Sequence, residues 1–109
     1  MEKHVVERNE LLKRVKEAVL ELAPKAEVIL YGSRARGTAR RDSDWDFLIL
    51  LPGPVSKELE TEIKDRLYDI ELETDTVLTS IIRSKQVWQS KRYEVVPLRR
   101  EVEKDGIAV

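Results

Sequence analysis

Apolar residues at positions 5, 12, 15, 19 and 22 are spaced for one face of a helix, with Glu and Lys between them, and predict an α-helix over 4–22. Pro24 limits it. Residues 26–31, AEVILY, are a short run with branched apolar side chains and predict a strand. Residues 32–42 are too polar and glycine-punctuated for either element and read as a loop, or a loop opening into a short helix. Residues 46–51 are apolar almost without interruption, which predicts a strand buried on both faces. Pro-Gly-Pro at 52–54 ends it. Ser56 can cap a second helix with Leu59, Ile63, Leu67 and Ile70 as its apolar stripe. TVLTSII at 76–82 reads as a third strand, and Trp88, Tyr93, Val95 and Val96 are expected to pack its edge. Pro97 starts a last short helix with Leu98 and Val102 inward, closed at Gly106. The order αββαβ, with an irregular tail, predicts an α/β class (α+β two-layer) fold: helices packed on a small mixed sheet.

The 109 residues suit one domain, 1–109, with one core. Charged residues make up 38% of the chain, well above the usual quarter, but the signs nearly cancel to a net charge of -1. That balance argues against general nucleic-acid binding, which needs a basic surface. The absence of Cys removes disulfides and thiolate metal sites, and a lone His4 makes His-centred catalysis a poor expectation. The first residues do not read as a signal peptide, no apolar run reaches membrane-spanning length, and the expected location is cytoplasmic.

The chemistry concentrates in residues 30–50, LYGSRARGTARRDSDWDFLIL. Asp44 and Asp46 are separated by one residue where a strand begins. Strand side chains alternate, so both project to one side, about 6.5–7 Å apart along the chain. Two carboxylates so placed can share hard cations, and two metal ions about 4 Å apart serve phosphoryl and nucleotidyl transfer. Trp45 and Phe47 then point the other way, into the core. Gly32 and Ser33 follow the preceding strand directly. A glycine there lets the backbone turn sharply and lets a phosphate approach its N–H groups, and Ser33 adds a hydroxyl donor. Gly37 permits a second close approach. Singly, each piece has a structural explanation: Gly-Ser is a common turn and Ser43-Asp44 can cap one. Six fixed positions together occur by chance on the order of once in ten million starting points at average residue usage.

The stretch GSRARGTARRDSDWDFLIL resembles the signature of the DNA polymerase β-type nucleotidyltransferase superfamily, and the length resembles its small single-domain members, the minimal nucleotidyltransferases. The resemblance implies a polymerase β-like nucleotidyltransferase fold. It implies that Gly32 and Ser33 hold a nucleotide triphosphate, with Arg36, Gly37 and Ser43 completing the nucleotide site. It implies that Asp44 and Asp46 bind two Mg²⁺ ions, and that AMP from ATP, or another nucleoside monophosphate, is transferred to a hydroxyl. Many small bacterial members are encoded beside a helical partner protein with nuclease activity, and several act as its antitoxin. A helical partner is therefore expected as well, and a nucleotide-binding module with an antitoxin-like role is the alternative to an active enzyme.

Active members carry a third acidic residue on the next strand. Counting into TVLTSII places it at Thr79 or Ser80, and neither is acidic. Asp75 has the right parity, sharing a face with Val77 and Thr79 if that strand begins early, and is the candidate third catalytic acid. Glu71 and Glu73 are the fallback. Of the four loop arginines, Arg36 and then Arg34 lie nearest a bound phosphate, whereas Arg40 and Arg41 read as solvated.

Overall fold

The computed structural model describes residues 7–109. Helix α1 spans Arg8–Leu22, with the Glu7 carboxylate accepting from the Asn9 N–H as its cap. His4 and Val5 lie outside the described residues. The buried stripe is Leu11, Val15 and Val19, so Leu11 joins the expected face. Strand β1 is Glu27–Tyr31, and a single helical turn, α2, occupies Ser33–Arg36. Strand β2 runs Trp45–Leu51, and helix α3 runs Lys57–Thr74. Ser56 caps α3 as expected, its hydroxyl accepting from the Leu59 N–H at 3.1 Å. Strand β3 is Leu78–Ser84, followed by the short helices α4, Lys85–Trp88, and α5, Lys91–Glu94, then α6, Pro97–Asp105, and a two-residue strand β4, Ile107–Ala108.

The sheet order is β3-β2-β1-β4. β1 pairs antiparallel with β2 and with β4, and β2 pairs parallel with β3. A parallel pair needs a crossover, and α3 supplies it. On one face, Leu11, Val15, Val19, Ile63, Leu67 and Ile70 of α1 and α3 cover Val28, Leu30, Trp45, Phe47, Ile49 and Ile82. On the other, Trp88 and Val102 cover Tyr31, Leu48 and Leu50. β2 therefore lies under side chains on both faces, which is why its sequence is apolar at nearly every position. Its first two residues escape this rule in a useful way. Trp45 faces the helices, and Asp46, the strand's one partly exposed residue, faces the thin side.

Three local expectations shift. β3 begins two residues late, because Asp75 ends α3 in the left-handed region (φ 53, ψ 43) and the chain needs Thr76 and Val77 to return to an extended path. Val95 does not pack the edge: it is 73% exposed, while Trp88 is buried and stacks at a tilt on Tyr93 with ring centres 5.6 Å apart. The tail is more regular than expected, since β4 pairs with Ile29 and Leu30.

The edge strand β3 is protected by cations. Lys64 donates to the Ser80 carbonyl at 3.0 Å, and Arg83 donates to the Ile82 carbonyl at 2.8 Å. Charged caps of this kind discourage a second chain from adding to a sheet edge. Between the two long helices, Arg66–Glu21 at 2.7 Å and an Arg14–Glu73 pair bridge exposed surfaces. Such pairs contribute about 0–1 kcal/mol each, so apolar burial dominates. Phe47→Ala, at a site with no solvent exposure, is expected to cost about 3–5 kcal/mol and lower the melting temperature by more than roughly 10 °C. Tyr68→Ala, on the exposed face of α3, should change stability by less than about 0.5 kcal/mol. Thermal melts followed by circular dichroism measure both.

Candidate active site around Gly32, Asp46 and Thr79

Register brings the candidate residues together. Tyr31 is the partner of Asp46 across β1 and β2, and Thr79 is its partner across β2 and β3. Gly32, immediately after Tyr31, therefore arrives beside the Asp46 side chain. Its φ is 75 and its ψ -160, a conformation that side chains with a Cβ avoid. A Cβ built on Gly32 would overlap Asp46 Oδ2 and lie 3.3 Å from its Cγ. The other carboxylate oxygen, Oδ1, accepts the Thr79 hydroxyl at 2.5 Å, a length typical of an O–H donating to an ionised carboxylate. Asp46 is thus held from both neighbouring strands: one oxygen is bonded to β3, the other lies against the turn after β1.

Asp44 is exposed and stands just before β2, whose first N–H, on Trp45, is bonded to the Val77 carbonyl at 2.9 Å. Ser33 opens α2, and its carbonyl accepts the N–H groups of Gly37 and Thr38, closing the turn. Gly37 ends α2 in the left-handed region at φ 78, with open space around it. Ser43 sits at the far end of the loop, where its hydroxyl accepts the Arg40 N–H at 2.8 Å and its own N–H returns to the Arg40 carbonyl. Its position is that of a loop brace.

The arginines divide into two kinds. Arg34 donates to the Ser43 carbonyl at 2.9 and 3.2 Å and to the Arg41 carbonyl at 3.1 Å, while lying 4.3 Å over the Trp45 ring. It ties the loop to the start of β2, a role the sequence reading missed. Arg36 reaches the other way, to Glu101 at 3.5 Å and Asp105 at 3.7 Å on α6. Arg40 and Arg41 are exposed.

The structure does not bring Asp75 onto the strand beside Asp46. The early strand that its parity required is absent: Asp75 is the C-cap of α3, its N–H bonded to the Glu71 carbonyl. Glu73 is turned to Arg14 of α1. The position opposite Asp46 belongs to Thr79. Among the described residues, no three His, Cys, Asp or Glu side chains gather as a metal cluster. A cleft of about 470 Å³ lies at the opposite end of the strands, lined by residues including Pro52, Ile82 and Arg83 and remote from the carboxylates.

A model of the nucleotidyltransferase domain matches residues 12–108. The chain belongs to the nucleotidyltransferase domain family. No curated protein matches the sequence significantly. Among solved structures, it is similar to a toxin–antitoxin with AMP-PNP, at TM-score 0.60 and 19% identity, covering 94% of this chain and 72% of that one. It is also similar to a mutant of the toxin–antitoxin MntA–HpeT with two aspartates replaced by glutamate, at TM-score 0.58 and 18% identity over 94% and 72% of the two chains. A tyrosine-to-alanine mutant of MntA–HpeT gives TM-score 0.58 and 18% identity over 95% and 72%. At these identities the likeness is one of fold, helices packed on a small mixed sheet.

Tyr31 has its phenol pushed up from 10.0 to about 12, chiefly by burial, then by the nearby negative charges of Asp46 and Glu101. The neutral phenol is favoured in the folded state, so its contribution to stability is complete below pH 10.0 and is lost as pH rises towards about 12. The phenolate absorbance step removed by Tyr31→Phe is expected at about pH 12, and Asp46→Asn should lower it only part of the way, since burial remains.

If Mg·ATP is the ligand of this turn, Gly32→Val is expected to abolish its binding, because the new side chain overlaps the Asp46 carboxylate and forces a disfavoured φ. Ser33→Ala removes one donor and should cost about 0.5–1.5 kcal/mol, or up to roughly 3 kcal/mol against a charged phosphate. Calorimetry on variants checked for folding ranks the two; a greater loss in Ser33→Ala would contradict these roles.

Proposed function

We propose that this nucleotidyltransferase-family chain binds a Mg²⁺–nucleoside triphosphate, with ATP the expected donor, and slowly transfers the nucleoside monophosphate to a hydroxyl presented by a partner protein, the hydroxyl oxygen replacing pyrophosphate at the α-phosphorus and its proton passing to solvent. The observation that carries the reading is the double hold on Asp46. Gly32 leaves one carboxylate oxygen beside a turn shaped for a phosphate, and Thr79 fixes the other.

The donor set suits Mg²⁺, a hard cation usually held by one or two carboxylates together with substrate phosphates. Asp44 and Asp46 would supply those carboxylates, beside a cradle that a Cβ at Gly32 would fill. Bound there, Mg²⁺ would neutralise phosphate charge and orient the reacting phosphoryl group. The chain's own residues do the rest. Gly32 admits the phosphates close to the backbone, and the Ser33 hydroxyl donates to a phosphate oxygen. Thr79 locks the Asp46 rotamer. Arg34 and Trp45 keep the loop and strand in register. No carboxylate of β3 faces Asp46 to take the proton of the acceptor hydroxyl or to complete a second ion's ligands, so binding is better provided for than transfer.

The fold-level likeness to toxin–antitoxin structures, one of them with AMP-PNP, supports an adenine nucleotide and a protein partner. The same Thr79 observation favours a second reading, a nucleotide-binding antitoxin-like module that works by masking its helical partner.

Labelled ATP and Mg²⁺, with and without the product of a neighbouring gene, separate the two. Slow label transfer that needs the partner is expected. Thr79→Asp should accelerate it, and Asp75→Asn should leave binding and transfer near their original values. Tight Mg·ATP binding with no label moved, even in Thr79→Asp, would support the masking module instead.

A further inference from the structure

The two arginines between Gly32 and Gly37 are committed differently. Arg34 spends its guanidinium on carbonyls of its own loop and on the Trp45 ring. Arg36 points at α6, where Glu101 and Asp105 stand one turn apart on the same face, at 3.5 and 3.7 Å. Both distances are long for charged hydrogen bonds, and the Arg36 side chain is 39% exposed. These are loose pairs, easily exchanged.

The acids themselves stand on a fixed support. Val102, next to Glu101, is buried in one cluster with Tyr31, the residue that leads into the phosphate turn. The Gly106 N–H bonds to the Val102 carbonyl at 2.7 Å, and β4 then pairs with β1. α6 is held against the sheet, whereas the Arg36 side chain is long and partly solvated. If the pairs break, Arg36 is the member that moves.

The geometry points to an internal competitor for the nucleotide: Glu101 and Asp105 occupy Arg36 in the free protein, and the triphosphate takes the guanidinium from them on binding. This deepens the nucleotide-binding reading and rests on it. The two carboxylates act as a built-in anion that sets a threshold for phosphate ligands. A triphosphate, with more charge and bidentate geometry for a guanidinium, displaces them better than a monophosphate does. The affinity for phosphate ligands is therefore set partly on α6, outside the Gly-Ser turn and the Asp pair.

A double-mutant cycle tests this by calorimetry with Mg²⁺ and a non-hydrolysable ATP analogue. Glu101→Gln with Asp105→Asn should tighten binding by about three- to tenfold, the range expected for releasing exposed ion pairs. The same pair of changes should improve AMP binding by a smaller or equal factor, so the preference for triphosphate over AMP should widen or stay unchanged. In an Arg36→Met background, the tightening should vanish. Should the acids merely repel any anion, the tightening will persist without Arg36, and the proposal is overturned. Weaker binding in the acid variants would mean that they position Arg36 for phosphate, which also overturns it. If the double variant does not fold, each single change carries the same sign test. Absence of any Mg-nucleotide binding in the unmodified chain would remove the nucleotide-binding reading itself, and this inference with it. Binding that is present but indifferent to the acids would remove the inference alone.

Discussion

The Asp46 carboxylate lies against the backbone of Gly32 and accepts the Thr79 hydroxyl, and these two contacts require three strands in a single register. A one-residue slip of β2 would send Asp46 into the helix-covered core and Phe47 to the thin face. Such a slip would bury a charge and lose the burial of an aromatic ring, two penalties of several kcal/mol each. The apolar packing on both sides of β2 therefore does more than stabilise the sheet. It fixes where the carboxylate emerges, and the turn after β1 is placed to meet it.

Charge is distributed around that point with little overlap of duties. Arg34 is braced inward, on loop carbonyls and the Trp45 ring, so it holds the approach to β2. Arg36 faces outward to the acids of α6. Asp46 and Glu101 both raise the Tyr31 phenol, which shows the negative potential converging on the same buried ring. An anionic ligand entering beside Asp46 would meet that potential, and a cation would have to offset it.

The fold was legible where periodicity and punctuation agreed. Ser56, the stripe Ile63, Leu67 and Ile70, and the unbroken run into Leu51 specify a helix and a twice-covered strand from local physics alone. The Gly-Ser turn and the Asp pair were legible because unusual residue types recurred at tight spacing. The start of β3 was not, because nothing in the run TDTV distinguishes a strand residue from the left-handed cap that Asp75 adopts; only the packed end of α3 decides it. The partnership of Arg36 with Glu101 and Asp105 spans some 65 residues and has no local signature, so it emerges only when α6 folds back over β1. β4 escaped for a similar reason: two residues carry no period, and their pairing with Ile29 and Leu30 is inherited from where α6 ends.

Thr79 occupies the place where an acid would face Asp46, and its hydroxyl changes what Asp46 can do. A carboxylate there would repel Asp46 unless a cation lay between them, so a paired site is costly to keep empty. A threonine removes that repulsion and replaces it with a hydrogen bond, which stabilises the carboxylate in the free protein. The exchange favours a preformed, ligand-ready Asp46 at the expense of acceptor activation. On this physical ground, the two halves of the proposed activity make separate demands: a nucleotide would rest on β1, β2 and α2, and transfer would need a group that β3 does not provide.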